Sequence, residues 1–319
     1  MADSAPATDW PVVAEVIRGG FVEGHHRGAI VVLRGSDVLF AAGPTDVPML
    51  PRSAAKPLQA KGMLDCGLVV DPAQLALVCG SHTGEQMHVD GVRGLLASVG
   101  LDESALDNTP SMPADSKARR ALTIEGVGPA RITHSCSGKH AGMLATCVAA
   151  GWPTATYRDP ASPLQVRLRD TVSELTGDPV TATLVDGCGA PLFAVTLRGL
   201  ARAFGEIATA DADSNTGRCG AAMRAHPELV AGTGHVTTRL MQGIPGLIAK
   251  DGAEGVYAVA LPDGTAAAVK IDDGAPRAQL PVLFAALGHA GVDLTDVADL
   301  GHVSVLGHGK PVGEIRPTI

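Results

Sequence analysis

A serine and a lysine stand three residues apart, Ser53 and Lys56, at the predicted start of a helix. Pro57 follows them, and proline suits the first turn of a helix because the N–H groups there have no partner within the helix. The spacing places the hydroxyl and the amine about one turn apart on one face. A lysine activates a serine only if burial or a second cation lowers its pKa. A helix cap followed by a surface lysine explains the same spacing without chemistry.

A second serine and lysine lie in segments that favour a buried polar site. Ser81 belongs to the loop 80–85, where His82, Thr83 and Glu85 form a dense polar cluster after an apolar segment. Lys270 belongs to the predicted strand 265–271, which otherwise consists mostly of small aliphatic residues. A lysine buried there is costly unless it is paired or neutral. The alternative is an edge-strand lysine that faces solvent.

Two glycine-flanked cysteines are candidate ligands for a soft metal. Cys136 lies in the segment 134–140, which opens a predicted helix and contains two histidines, and Cys188 lies in the turn 186–191. Reduced thiols close to histidine suit such a metal. Two cysteines alone do not complete a four-ligand zinc site. The alternative is a pair of buried thiols that only fill space.

Five motifs occur in an order that resembles the asparaginase II family, the thermolabile rhizobial type, over residues 12 to 317. They are Pro51-Arg52-Ser53-x-x-Lys56, Gly80-Ser81-His82-x-Gly84-Glu85, Cys136-Ser137-Gly138-Lys139-His140, Asp186-Gly187-Cys188-Gly189 and Arg224-Ala225-His226-Pro227-Glu228. The resemblance implies a fold similar to serine β-lactamases and penicillin-binding proteins, with an antiparallel sheet and helices on both faces. It also implies a homodimer.

The same resemblance implies roles for individual residues. Catalysis would rest on two serine–lysine pairs, Ser53 with Lys56 and Ser81 with Lys270. Zinc would be held by Cys136, Lys139 and Cys188, and a ligating lysine must lose its proton. Substrate would contact Arg52, His140 and Asp186. An arginine suits the α-carboxylate of an amino acid, and an aspartate suits the α-ammonium group.

These assignments predict an amidohydrolase that cleaves the side-chain amide of L-asparagine through an acyl-enzyme. Ser53 is the expected nucleophile, because the helix start offers backbone N–H groups to an oxyanion. One alternative is a β-lactamase or peptidase that uses the same serine–lysine chemistry, but the chain has no Ser-Asp-Asn or Lys-Thr-Gly motif. A second alternative is a non-catalytic amino-acid- or zinc-binding protein on the same scaffold.

Composition excludes several other classes of function. The net charge of −8 argues against nucleic-acid binding, which needs a basic face. The sequence has no apolar run long enough for a membrane span and no charged segment followed by an apolar signal, so we expect a cytoplasmic protein with six reduced cysteines. No glycine motif for a nucleotide or redox cofactor is present.

The predicted elements favour a mixed α/β (α+β) fold in one catalytic domain, residues 11–319, after a flexible tail, residues 1–10. Strands are predicted at 12–17, 29–33 and 37–42, and a hairpin at 254–271. Helices are predicted between them, one of them at 191–204, whereas residues 23–28 and 107–120 are interpreted as loops. Strands near both ends of the chain then form one sheet flanked by helices.

Overall fold

The computed structural model describes residues 10–319 of the chain. The predicted N-terminal tail therefore lies, except for Trp10, outside the described residues. The strands are β1 (Val12–Arg18), β2 (Phe21–Arg34), β3 (Asp37–Ala42), β4 (Pro48–Met49), β5 (Thr183–Val185), β6 (Pro191–Phe193), β7 (Val195–Thr196), β8 (Ile248–Gly252), β9 (Val256–Ala260), β10 (Thr265–Ile271), β11 (Ser304–Gly307) and β12 (Lys310–Pro317).

Helices fill most of the chain between β4 and β8. They are α1 (Lys56–Asp65), α2 (Pro72–Cys79), α3 (Gln86–Ser98), α4 (Ser116–Ile124), α5 (Ser137–Ala150), α6 (Pro163–Thr176), α7 (Leu197–Thr209), α8 (Asn215–Ala225), α9 (Pro227–Val230), α10 (Val236–Gly243) and α11 (Gln279–His289). Short 3-10 helices span Arg52–Ala55, Glu103–Ala105, Thr154–Thr156, Pro276–Ala278 and Thr295–Gly301.

The main sheet has the strand order β11-β12-β1-β2-β10-β9-β8, and β3 pairs with β2. Every pairing in it is antiparallel. The two ends of the chain meet in this sheet, where Val16 on β1 lies opposite Ile315 on β12. The predicted fold class, an antiparallel sheet with flanking helices assembled from strands at both ends, is therefore confirmed.

The centre of the sheet is built from small aliphatic residues. Ala266, Ala267 and Ala268 on β10 are buried, and β10 packs against α7 and α11. Gly205 of α7 faces the same strand, so that a Cβ placed on it would lie 3.5 Å from the Cβ of Ala266. Small side chains on both elements let the helix approach the sheet closely, as the low aromatic content of 3% predicts.

Three local predictions were wrong. Residues 23–28 lie within β2 rather than in a loop, because β2 continues to pair with β1 through irregular register. Part of the predicted loop 107–120 belongs to α4, whose start is capped by the Asp115 carboxylate accepting from the Ala118 N–H. The predicted helix at 191–204 begins only at Leu197, after β6 and β7, where the Thr196 hydroxyl caps α7.

None of the helices within residues 10–319 is long and apolar enough to cross a membrane.

Candidate active site

Ser53 and Ser81 line the same cavity, which has a volume of about 450 Å³. Ser53 lies in the 3-10 helix Arg52–Ala55, which leads directly into α1. Ser81 follows the end of α2, where the extended backbone of Gly80 stops the helix. Ser135 lies on the wall of the same cavity. The structure therefore brings both predicted serines to one site.

The amine of Lys56 lies in the protein interior beside Ser81. Its Nζ is 2.9 Å from the Ser81 hydroxyl oxygen, 2.6 Å from the carbonyl oxygen of Gly80 and 3.4 Å from that of Ser135. A neutral amine has two N–H groups and one lone pair. The protonated amine donates to all three oxygens, whereas the neutral amine donates to the two carbonyls and accepts from the Ser81 O–H through its lone pair. The geometry therefore suits a lysine that works as a base.

The surroundings of Lys56 favour its neutral form. Burial lowers the pKa of Lys56 below its usual 10.5, and the amines of Lys250 and Lys139 lower this pKa further. The thiolate of Cys136 opposes both effects. Lys56 thus meets the condition, set out from the sequence, that a catalytic lysine be buried and close to another cation.

Within residues 10–319, no hydrogen bond joins Lys270 to Ser81, whose hydroxyl is bonded to Lys56, and a further lysine, Lys250, lies close enough to Lys56 to lower its pKa. The Lys270 amine donates to the carbonyl oxygens of Glu254, at 2.5 Å, and Ile271, at 2.6 Å. Lys250 on β8 is fully buried, and its amine binds the Asp251 carboxylate at 2.6 Å. β8 packs against the 3-10 helix that contains Ser53, and Gly252 at the end of β8 lies close to the backbone of Pro51 and Ala54. The Lys270 amine is instead held by its own strand and by the turn at Glu254.

Sequence reasoning missed Lys250 although the signal that selected Lys270 applies equally to it. Lys250 follows the apolar pair Ile248 and Ala249 and precedes a glycine-bounded turn that lines the cavity. Both lysines interrupt short apolar strands. The places of β8 and β10 in the sheet, together with the packing around them, decide which of the two lies near Lys56.

Backbone N–H groups distinguish the two serines. Among residues 10–319, no carbonyl accepts a hydrogen bond from the Ser53 N–H, which lies at the start of a helical segment. The Ser81 N–H is already bonded to the carbonyl oxygen of Val230 at 2.7 Å. Ser53 therefore carries a free donor for an oxyanion formed on a carbonyl that it attacks, and Ser81 does not.

Arg52 and Asp186, predicted to contact substrate, form an ion pair beside Ser53. The Nε atom of Arg52 donates to the Asp186 carboxylate at 2.8 Å, and a guanidinium nitrogen of Arg52 lies 3.7 Å from Glu254. Arg52 has a φ of +51°, a left-handed conformation that is uncommon outside glycine. Such strain is found at functional sites, where the surrounding structure holds it in place.

His140 presents a buried N–H donor without a partner. The Tyr157 hydroxyl accepts from the N–H of Asp107 at 2.9 Å, so its own hydrogen is available for Nδ1 of His140, which lies 2.8 Å away. The other nitrogen, Nε2, then carries the imidazole hydrogen and has no hydrogen-bond partner among residues 10–319. Burial and the neighbouring Lys139 lower the pKa of His140, which keeps the ring neutral. This donor suits an oxygen atom of a substrate.

The predicted metal ligands converge in the interior close to His140. The Lys139 amine donates to the Cys188 sulfur at 3.3 Å, and the thiols of Cys136 and Cys188 hydrogen-bond to each other. The hydrogen bond from Cys188 and the charge of Lys56 outweigh burial and hold the pKa of Cys136 well below its usual range, whereas the same hydrogen bond and burial raise the pKa of Cys188. These opposite shifts favour a thiolate at Cys136 and a protonated thiol at Cys188.

This donor set fits a thiophilic metal such as zinc. Burial lowers the pKa of Lys139, but Cys188 and Cys136 outweigh this effect and raise it. A metal that binds the two thiolates would remove their pull on the Lys139 ammonium group, and the lysine could then lose its proton and bind the metal. A further nitrogen lone pair is buried near Cys136. His82 donates through Nε2 to Ser137 at 2.9 Å, and its Nδ1 has no partner in the described part of the chain. No group of three His, Cys, Asp or Glu side chains arranged for a metal occurs within the described chain, so the lysine is needed to complete three protein ligands.

Comparison with known proteins identifies one family and several structural neighbours. A sequence model of the family described as L-asparaginase II matches residues 14–317. No curated protein matches the chain. The fold is similar to a β-lactamase from Mycobacterium bovis, with 19% identity and a TM-score of 0.43 over 83% of this chain and 89% of that one. It is also similar to the protein Mglu in its native form, with 17% identity and a TM-score of 0.46 over 85% of this chain and 66% of that one.

Proposed function

Because the chain belongs to the L-asparaginase II family, we propose that it hydrolyses the side-chain amide of L-asparagine to L-aspartate and ammonia by serine–lysine catalysis. The observation that carries this proposal is the buried Lys56 amine, bonded to Ser81 at the wall of a cavity that also contains Ser53. A base with a lowered pKa, a hydroxyl in contact with it and a second hydroxyl with a free N–H donor are the parts that acyl transfer needs.

The ionic groups beside Ser53 provide an anchor for an amino acid. Arg52 suits the α-carboxylate and Asp186 suits the α-ammonium group, and the ion pair between them lets a zwitterion insert with each charge facing its opposite. The free Nε2–H of His140 supplies a further donor to a substrate oxygen. Anchored in this way, asparagine reaches Ser53 with its side-chain carbonyl.

Acylation then proceeds through the two hydroxyls. The Ser53 oxygen attacks the amide carbon while its proton passes to the Ser81 oxygen, and the Ser81 proton passes to the Lys56 nitrogen. The oxyanion accepts from the Ser53 N–H at the helix start. The proton returns by the same path to the amide nitrogen, the carbon–nitrogen bond breaks, and ammonia leaves a β-aspartyl ester on Ser53.

Deacylation uses the same base for a water molecule. The water gives a proton to Lys56 through Ser81 and attacks the ester carbon. The carbon–oxygen bond to Ser53 then breaks, and the proton restores the Ser53 hydroxyl. Aspartate is released with the enzyme in its starting state. Lys250 lies near Lys56 as the neighbouring cation that keeps the base neutral between these steps.

We propose that Cys136, Lys139 and Cys188 hold zinc. When bound, the metal would supply a fixed positive charge near Asp186 and stabilise the thiolates. Protein purified without chelator should contain close to one zinc per chain by elemental analysis. Cys188→Ser should lower that ratio well below one, whereas Cys66→Ser, at a half-buried cysteine on the end of α1, should leave it unchanged. Zinc-free protein with full activity in chelator would contradict this assignment.

The proposed reaction predicts release of ammonia from L-asparagine in a coupled assay. Two alternatives are judged in the same assay with other substrates. Hydrolysis of a β-lactam or a peptide without ammonia release from asparagine would identify a different serine hydrolase. Binding of asparagine without turnover, measured by calorimetry, would identify a non-catalytic binding protein. L-Glutamine, whose side chain is one methylene longer, is the comparison substrate. A difference of one methylene is typically worth about 1–3 kcal/mol of discrimination between two substrates.

A further inference from the structure

The cavity at the two serines adjoins the amino-acid anchor but does not include it. Its wall includes Ser53 and Ser81, but neither Arg52 nor Asp186 lines it. Glu254, which lies 3.7 Å from the Arg52 guanidinium, marks the boundary between the two regions. If the α-amino and α-carboxyl groups are held outside the cavity, as the proposed function requires, the cavity receives the leaving group of the amide.

Its volume is much larger than ammonia needs. Ammonia is a single heavy atom and occupies about the volume of one water molecule, roughly 30 Å³. The cavity measures about 450 Å³. The cavity is open to solvent and must also admit the side-chain amide, but its volume still leaves room for an amide nitrogen that carries a substituent of a few heavy atoms.

The wall is held in one arrangement by a buried histidine. His26 on β2 is 2% exposed, its Nδ1 lies 2.7 Å from the Asp273 carboxylate, and its Nε2 accepts from Arg277 at 2.9 Å. These contacts fasten the turn between β10 and α11, in which Gly274 and Pro276 face the cavity. The part of the wall formed by Gly274 and Pro276 is thus held in place by these hydrogen bonds.

The chemistry of the wall favours uncharged substituents over anionic ones, because two carboxylates line it, Asp251, which is paired with the Lys250 amine at 2.6 Å, and the exposed Glu254; His235 also lines it. Val236, Pro276 and the ring of Tyr257 present apolar surface. Gln279 donates through its amide nitrogen to the carbonyl oxygen of Val256 at 3.0 Å, which leaves its amide oxygen available as an acceptor. The carboxylate of Glu254 at the rim repels an anionic group.

We propose that the enzyme also hydrolyses asparagine derivatives whose side-chain amide nitrogen carries a short uncharged group, such as an ethyl or hydroxyethyl group. This inference rests on the proposed function and extends its substrate class. The chemical steps are those proposed for asparagine. Ser53 displaces a primary amine instead of ammonia, the amine nitrogen takes the relayed proton, and water hydrolyses the ester. A β-aspartyl dipeptide, which brings a carboxylate to Glu254, should be a much poorer substrate.

Aspartate formation is the readout, since every substrate releases it. Wild-type protein should release aspartate from the N-ethyl amide with a kcat/KM within about tenfold of that for asparagine, a difference of about 1.4 kcal/mol in transition-state binding. Val236→Phe should lower the ratio of kcat/KM for the N-ethyl amide to that for asparagine at least tenfold, by filling the apolar wall. Ala253→Leu narrows the cavity at an exposed rim position and provides a second variant if Val236→Phe does not fold. Val38→Phe, on the exposed part of β3, is the matched control and should leave the ratio unchanged.

The outcomes separate this inference from the proposed function. Turnover of asparagine without turnover of the N-ethyl amide would overturn the inference and leave the proposed function standing. Turnover of both substrates with a ratio that neither cavity variant changes would also overturn it, because the substituent would then lie elsewhere. Failure to turn over asparagine would overturn the proposed function and this extension with it.

Discussion

Ser53→Ala should abolish the covalent intermediate and reduce turnover of asparagine by about 10⁴-fold or more, the size of effect seen when a serine hydrolase loses its nucleophile. The physical reason is that Ser53 combines a position at the cavity with a free backbone N–H for the oxyanion. Intact mass measured after rapid acid quench should show the β-aspartyl ester on wild-type protein, as a mass increase of roughly 115 Da for one aspartyl group. The variant should not show this increase.

Ser81→Ala provides the comparison that assigns the nucleophile. This variant loses the hydroxyl bonded to Lys56, so we expect a slower reaction by about 10²- to 10⁴-fold, the usual range for proton transfer, with the ester still detectable on Ser53. Ser135→Ala removes a hydroxyl from the same cavity but keeps the carbonyl that binds Lys56, and its loss should be far smaller. A peptide-mapped adduct on Ser81, especially in Ser53→Ala protein, would reverse the assignment.

Lys56→Arg should be nearly inactive and should lose the alkaline rise of the wild-type pH profile. In the wild type the rate should increase with pH as Lys56 loses its proton and should level off below pH 10.5, because burial and neighbouring amines lower the pKa of Lys56 from that value. Arginine keeps the positive charge but cannot release a proton in this range. We expect a loss of about 10²- to 10⁴-fold, measured as kcat between neutral and alkaline pH.

The identity of the second lysine is tested by the same pH profile. Lys250→Met removes a cation near Lys56, so the pKa of Lys56 should rise and the rate profile should move to higher pH. Lys270→Met is the matched control and should leave the midpoint in place. The double variant Lys250→Met/Asp251→Asn avoids an unpaired buried carboxylate if the single variant is unstable. A midpoint that moves with Lys270→Met instead would restore the pairing expected from the sequence.

The order of motifs along the chain was sufficient to predict the family, which the family match over residues 14–317 confirms. The spacing of Ser53 and Lys56, the two cysteines and the acidic residue of the Asp-Gly-Cys-Gly turn are all local features, and the fold brings Ser53 to the cavity, Cys188 to Lys139 and Asp186 to Arg52. The strands at both chain ends also predicted the antiparallel sheet, because alternation of side chains and short turns are local signals.

Tertiary structure decided that Lys56 contacts Ser81 and that Lys250 rather than Lys270 lies near Lys56. Lys250 and Lys270 both interrupt apolar strands, and sequence carries no signal for the register and strand order that bury the first and leave the second bonded to its own turn. The contact of Lys56 with Ser81 joins α1 to the end of α2, a meeting of elements 25 residues apart in sequence. Local residue types determine which chemistry is available, whereas long-range packing determines which groups are close enough to exchange a proton, because proton transfer requires hydrogen-bond distances.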